Sequence, residues 1–127
     1  MESVRHDPPG VAAPRGSYTH GLELPPGARL LFISGQVPER PDGTVPPDFD
    51  GQCRAVWGNI VAVLSSAGMG VANLIKVTTF LTRQDQADAN GRIRREVLGS
   101  HRPALTVVVL QTLESQWLLE IEAMAAR

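Results

Sequence analysis

The stretch 104–110 constrains the fold most, because it predicts a strand that is apolar on both faces. Side chains alternate along a strand. One set is Leu105, Val107 and Val109, and the opposite set is Thr106, Val108 and Leu110. A chain of 127 residues can cover one face of a sheet with its own helices, so we expect other subunits to cover the second face. The sequence therefore predicts an oligomer, with any functional site at the interface between subunits.

The other patterns predict four more strands and two helices. We expect a hairpin of two strands, 18–24 and 29–34, across the turn signal Pro25-Pro26-Gly27. Apolar residues at helical spacing over 53–64 predict the first helix, and a weaker stripe over 84–98 predicts the second. The remaining strands are predicted at 74–81, 104–110 and 117–126. The order β-β-α-β-α-β-β, with two helices on one face of a mixed sheet, predicts an α+β two-layer sandwich.

Residues 1–16 contain three prolines and two glycines, among them Pro8-Pro9-Gly10 and Pro14, a composition that does not pack regularly. We expect a flexible N-terminal arm, followed by a single domain over 17–127. The arm has no apolar leader segment, and no apolar run approaches membrane length. The sequence therefore predicts a cytoplasmic protein that does not interact with a membrane.

Charge and cysteine content exclude several partners. The net charge of -1 gives no general attraction to phosphates, and the basic cluster within 92–102 is interpreted as a solvated helix face, so no nucleic-acid partner is expected. One cysteine and three scattered histidines leave no metal-ligand cluster, so neither a metal nor another cofactor is expected. Cys53 lies on the apolar stripe of the first helix, which indicates a core residue rather than a nucleophile.

Several short segments occur in an order that resembles one protein family. They are Ser34-Gly35-Gln36-Val37-Pro38, the helix end Ala67-Gly68, the strand 76–81, Pro103-Ala104, and the terminal strand 119–123. Over residues 16–127 the chain resembles the Rid (YjgF) family of reactive-intermediate enamine/imine deaminases. The resemblance implies a chorismate-mutase-like fold and a homotrimer with small-molecule clefts between subunits. An older label for the family, L-PSP endoribonuclease, implies an activity for which the chain has no basic track.

The chain departs from the deaminating members of that family at Leu105. The resemblance implies that in those members an arginine follows Pro-Ala on this strand and pairs with the substrate carboxylate. A leucine removes the charge-assisted hydrogen bonds and makes the cleft floor apolar. Arg102 lies three residues earlier, so alternation points it to the opposite face. We therefore expect an arginine-lacking subgroup that binds free 2-imino acids poorly.

Glu120 is the candidate catalytic residue. The resemblance places it where the family holds a water or the polar end of a ligand, and a carboxylate there can act as general acid or base. Glu120 and Glu122 share one face of the last strand, which we expect to face the interface if the alternating apolar residues pack under the helices. An interface glutamate paired with a cation such as Lys76 is an equally good interpretation for Glu120, and it is preferred for Glu122.

The other candidate residues line the implied cleft, each with a purely structural alternative. The resemblance matches Tyr18 and Asn90 to ligand-contacting residues, although a strand tyrosine can simply pack. Gly35 either allows close approach of a ligand or forms a strand-end turn. Trp117 either narrows the cleft or packs. Two functions stay open: hydrolysis of imines or enamines that lack a carboxylate, in a cleft that orients one water, and non-catalytic ligand binding or regulation by the trimer.

Overall fold

The protein contains two α-helices, two short 3-10 helices (Val71–Asn73 and Gln84–Gln86) and six strands in the computed structural model, which describes residues 2–127. The strands are β1 (Val4–His6), β2 (Gly21–Glu23), β3 (Leu30–Gln36), β4 (Leu74–Leu81), β5 (Ala104–Val109) and β6 (Leu119–Ala126). The α-helices are α1 (Phe49–Ser66) and α2 (Ala87–Leu98). The predicted α+β class is confirmed. No helix within residues 2–127 is long and apolar enough to cross a membrane.

The main sheet has four strands in the order β3-β6-β4-β5. Strands β4 and β5 are parallel, because α2 provides the crossover connection that a parallel pair requires. The other two pairs, β3 with β6 and β4 with β6, are antiparallel. Strand β6 is therefore a central strand, and β5 lies at one edge of the sheet.

One face of this sheet packs under the two helices and forms the core. Asp48 begins α1, because its carboxylate accepts a hydrogen bond from the Gly51 backbone N–H at 2.9 Å. The helix then buries an apolar stripe against the sheet. The fully buried members of this core include Val56, Ile60, Leu64, Val77, Leu81, Ile93, Leu119 and Ile121. Alternate residues of β6 thus lie under the helices, as predicted.

The opposite face of the sheet is open in a single chain. Glu120 and Glu122 lie on this face, as predicted, because their β6 neighbours on either side are buried. Phe32 is 69% exposed there, beside a cavity of about 480 Å³ that Lys76, Glu122 and Met124 also line. The open face of a single chain thus exposes both apolar and charged side chains.

The predicted hairpin of strands 18–24 and 29–34 is wrong. Strand β2 pairs with β1, and β3 pairs with β6. The reason is a polar clamp, since the Asp7 carboxylate accepts hydrogen bonds from the Thr19 hydroxyl and the His20 N–H, each at 2.7 Å. These bonds also lower the pKa of Asp7. The arm over 1–16 therefore contains a short paired strand, whereas we had expected no regular structure there.

A buried glutamine links the loop before α1 to the loop before β6. The Gln52 side chain donates to the carbonyls of Pro46 (2.9 Å) and Gln116 (3.0 Å), and it accepts from the Leu118 N–H (2.8 Å). Gln52 is 2% exposed, so water cannot replace these bonds. The loop that carries Trp117 is held by this side chain.

We predict that Gln52→Ala destabilises the protein by about 1–3 kcal/mol, because buried backbone groups lose their partners. Urea unfolding measures the change. Gln116→Ala is the matched control: it removes an exposed side chain and keeps the carbonyl that Gln52 contacts, so its stability should stay near wild type. Equal losses in both variants would contradict the role given to Gln52.

Candidate functional site

The residues predicted for the site fall into two groups on opposite sides of the main sheet. Gly35 and Glu120 lie together on the open face, which we call the carboxylate group. Tyr18, Asn90 and Leu105 lie on the helix-covered side near the β5 edge, which we call the edge group. Trp117 belongs to neither group, because it lies in the loop before β6, where its carbonyl accepts from the Thr112 hydroxyl at 2.7 Å.

The carboxylate group depends on a bulge in β3. The pairing with β6 shifts between Ile33, opposite Ala123, and Gln36, opposite Ile121. At this irregularity the Glu120 side chain lies directly over Gly35. A Cβ atom on Gly35 would be 2.8 Å from the Glu120 Cδ and closer still to Oε2. Gly35 therefore provides the space that the Glu120 carboxylate occupies, which a strand-end turn alone does not explain.

The Glu120 carboxylate is half-buried, and no ion pair within residues 2–127 involves it. Lys76, the cation considered as its partner, donates instead to the Thr106 hydroxyl at 2.7 Å. The structural interpretation of Glu120 as half of a pair with Lys76 thus does not hold within one chain. A carboxylate in this state has free acceptor capacity for a ligand or a water.

The edge group is assembled by a short contact between the segment before β2 and the start of β5. The Thr19 N–H donates to the Pro103 carbonyl at 3.1 Å, and Thr19 pairs with Ala104 as an isolated parallel bridge. Alternation then places the Tyr18 and Leu105 side chains on the same side. Leu105 lies beside buried Val77 in the register and packs partly against the core.

Leu105 and Glu120 therefore lie on opposite faces of the sheet. Asn90 sits on α2 with 2% of its surface exposed, and its Oδ1 has no hydrogen-bond partner in the part of the chain that the structure describes. A buried acceptor without a partner is rare in a native structure and indicates a missing donor. Within one chain the candidate residues thus form two separate groups rather than one site.

The structure confirms one further prediction from the sequence and contradicts another. Cys53 is fully buried, and this burial raises the pKa of its thiol to about 12, so the predicted core role is confirmed. Arg94 was assigned to a solvated helix face, which is wrong because it is only 7% exposed. The sequence spacing indicates this burial, because Arg94 follows Asn90 by four residues and both lie on the buried stripe of α2.

No group of three or more His, Cys, Asp or Glu side chains in residues 2–127 could hold a metal ion. The polar side chains of the carboxylate group and the edge group are one carboxylate, one amide and one phenol.

A family model with the description Endoribonuclease L-PSP matches residues 10–127. This match agrees with the family that the sequence resemblance indicated. The chain belongs to the Rid (YjgF) family.

Named relatives support this membership. The chain is 31% identical over 116 residues to "Putative reactive intermediate deaminase TdcF" of Escherichia coli, with 88% of each chain covered. It is 29% identical over 116 residues to the "2-iminobutanoate/2-iminopropanoate deaminase" of the same organism, again with 88% of each covered. The solved structure of the Rid family protein YyfB from Yersinia pestis superposes with a TM-score of 0.86 at 25% identity and covers 100% of both chains.

We predict that Gly35→Ala destabilises the protein mainly through the Glu120 side chain, which a Cβ atom would displace. A double-mutant cycle with Glu120→Ala should therefore give a coupling free energy of about 0.5–3 kcal/mol by urea unfolding, with Gly35→Ala costing less when Glu120 is absent. The control cycle pairs Gly35→Ala with Glu122→Ala, where we expect additivity. No coupling in the first cycle would mean that the carboxylate does not occupy this space.

Proposed function

We propose that the chain forms a homotrimer whose inter-subunit clefts bind a small molecule and hydrolyse imines or enamines that lack a free carboxylate. The observation that carries this proposal is the half-buried Glu120 carboxylate, held over Gly35 without an ion pair. The family names of the relatives support deaminase chemistry in general terms. The cytoplasmic location expected from the sequence is part of the same proposal.

Two observations support the trimer: the separation of the carboxylate group from the edge group, and the apolar surface of a single chain. Phe32 on the open face is 69% exposed, and Val107, Val108 and Val109 on the edge strand are 39–47% exposed. A second subunit placed against this surface buries these side chains. It also allows the carboxylate group of one subunit to meet the edge group of its neighbour, whereas within one chain these groups lie on opposite faces of the sheet.

In the proposed reaction Glu120 positions and activates one water. A protonated C=N carbon is already electrophilic, so the main requirement is a correctly oriented nucleophile. Glu120 takes a proton from the water as its oxygen bonds to that carbon, and the C=N double bond becomes a single bond. The same carboxyl group then returns the proton to the nitrogen. As the C–N bond breaks, Glu120 accepts the proton of the new hydroxyl group, a carbonyl forms, and ammonia or an amine leaves. The leaving amine or solvent then takes this proton from Glu120.

The proposed exclusion of 2-imino acids follows from Leu105. Its half-buried isobutyl group packs on the core and offers no donor to a substrate carboxylate. An anion at this position would lose its hydration without gaining a partner. We therefore propose that the chain differs in substrate from relatives whose name includes 2-iminobutanoate, and that it belongs to an arginine-lacking subgroup.

A non-catalytic trimer that binds or senses a ligand is the second candidate. It is favoured because no side chain within residues 2–127 is hydrogen-bonded to the Glu120 carboxylate. A polar neighbour of this kind would help to hold a catalytic water. Tyr18 and Asn90 would then supply the ligand contacts, with Glu120 as a binding residue.

We predict that Val108→Glu dissociates the trimer, because it places a charge on the apolar edge strand that the interface would bury. Sedimentation equilibrium at micromolar concentration should give three times the chain mass for wild type and the chain mass for this variant. Val61→Glu is the matched control, since Val61 and Val108 are both 41% exposed but Val61 lies on α1. A wild-type monomer would remove the cleft from the proposal.

We predict that the wild-type protein accelerates amine release from imines without a carboxylate and shows little activity on 2-iminobutyrate. Glu120→Gln should reduce the accelerated rate roughly 100- to 10,000-fold, because it removes the general base while preserving shape. Glu122→Gln, on the same face two residues away, should retain the activity. Ligand-induced thermal stabilisation without any acceleration would favour the non-catalytic trimer, and rapid hydrolysis of 2-iminobutyrate would overturn the role given to Leu105.

A further inference from the structure

A second cavity lies between α2 and the segment around Gly16, on the helix-covered side of the protein. Its volume is about 580 Å³. The charged residues among its described lining are Arg15, Asp88, Arg92, Arg94 and Arg95. Four guanidinium groups thus share this cavity with one carboxylate, although the whole chain has a net charge of -1. The concentration of positive charge is a local property of this cavity.

Only one of these arginines is neutralised by neighbours in the chain. Arg92 pairs with Asp50 at 2.9 Å and approaches Glu96 at 3.8 Å. Arg15, Arg94 and Arg95 take part in no ion pair among residues 2–127. The cavity therefore keeps an excess of positive charge.

Arg94 is the buried member of this set. It is 7% exposed, and its Nε has no hydrogen-bond partner within the described chain. Loss of hydration, together with the neighbouring Arg95, lowers the pKa of this guanidinium. A buried charge normally has an ionic or hydrogen-bonding partner. The Arg94 guanidinium lacks such a partner within the described chain.

Two glycines that line the cavity leave room beside the Arg94 guanidinium. A Cβ atom on Gly16 would lie 3.5 Å from Nη2, and one on Gly91 would lie 3.9 Å from the same nitrogen. Side chains at either position would cover this edge of the guanidinium. With glycines there, Nη2 borders the cavity.

We infer that this cavity binds a small oxyanion, a carboxylate or phosphate group, through Arg94, with Arg15 and Arg95 at its rim. A guanidinium can donate two parallel hydrogen bonds to such a group. Neither Leu105 nor Glu120 lines the cavity, although Arg94 lies one helical turn from Asn90 of the edge group, so this anion site does not depend on the role proposed for Glu120. The two proposals can fail independently.

The test is titration calorimetry of the wild-type protein with inorganic phosphate and, separately, with acetate, with sodium chloride holding the ionic strength constant. We expect saturable binding of one anion per chain. Arg94→Gln should weaken it about 10- to 100-fold, in keeping with the loss of hydrogen bonds to a charged group. The matched control is Arg102→Gln, an exposed arginine that does not line the cavity, with an effect of at most about threefold, as for a solvated charge.

The two arms identify the oxyanion, since preference for phosphate indicates a phosphorylated ligand and preference for acetate a carboxylate. Absence of saturable binding by wild type, or equal affinity in Arg94→Gln, overturns the inference. So does dissociation of the assembly by Arg94→Gln without any anion binding to wild type, because a neighbouring subunit would then supply the missing charge. If Arg94→Gln does not fold, Arg94→Lys replaces it: the loss of the planar fork should still weaken binding, and unchanged affinity overturns the inference.

Discussion

The alternation of side chains along the central strand β6 is the constraint on which the rest of the structure depends. Leu119, Ile121 and Ala123 are buried under the helices, which leaves Glu120 and Glu122 on the open face. A shift of one residue would place both carboxylates in the apolar core and is therefore strongly disfavoured. The bulge in β3 then gives the two glutamates different surroundings. Glu120 lies half-buried over Gly35, whereas Glu122 is exposed, so a repeated pattern in sequence becomes two chemically distinct positions.

Periodic patterns explain why so much of this fold could be predicted from sequence. The apolar stripe of α1 and the alternation in β4 and β6 depend on burial against one core, which each segment encodes by itself. The pairing of β1 with β2 could not be predicted in this way. It depends on Asp7, a single side chain that reaches Thr19 and His20 across a proline-rich loop. The burial of Arg94 could not be predicted for a different reason. Its charge favoured an exposed side chain, whereas its position on the buried stripe of α2 favoured burial.

The candidate site residues come from the sequence resemblance, but their placement on the sheet could not be predicted from it. Short motifs matched Tyr18, Asn90 and Glu120 to a family pattern, yet a list of residues does not say which face of a sheet each one occupies. The register does: Leu105 lies beside Val77 on the covered face, and Glu120 lies opposite Phe80 on the open one. Residues that serve one cleft can thus belong to opposite faces of the same sheet only if the cleft is shared between copies of the chain.

Helix α2 carries two of the four buried polar side-chain atoms that have no hydrogen-bond partner within residues 2–127. The Oδ1 of Asn90 and the Nε of Arg94 are both buried without partners in the described chain, and they lie one helical turn apart. Each such group lowers the stability of the isolated fold, since its hydration is lost and nothing replaces it. Any molecule that supplies the missing partners binds the folded state alone and therefore stabilises it. The binding of such a molecule would therefore be coupled to the stability of the helix that covers the sheet.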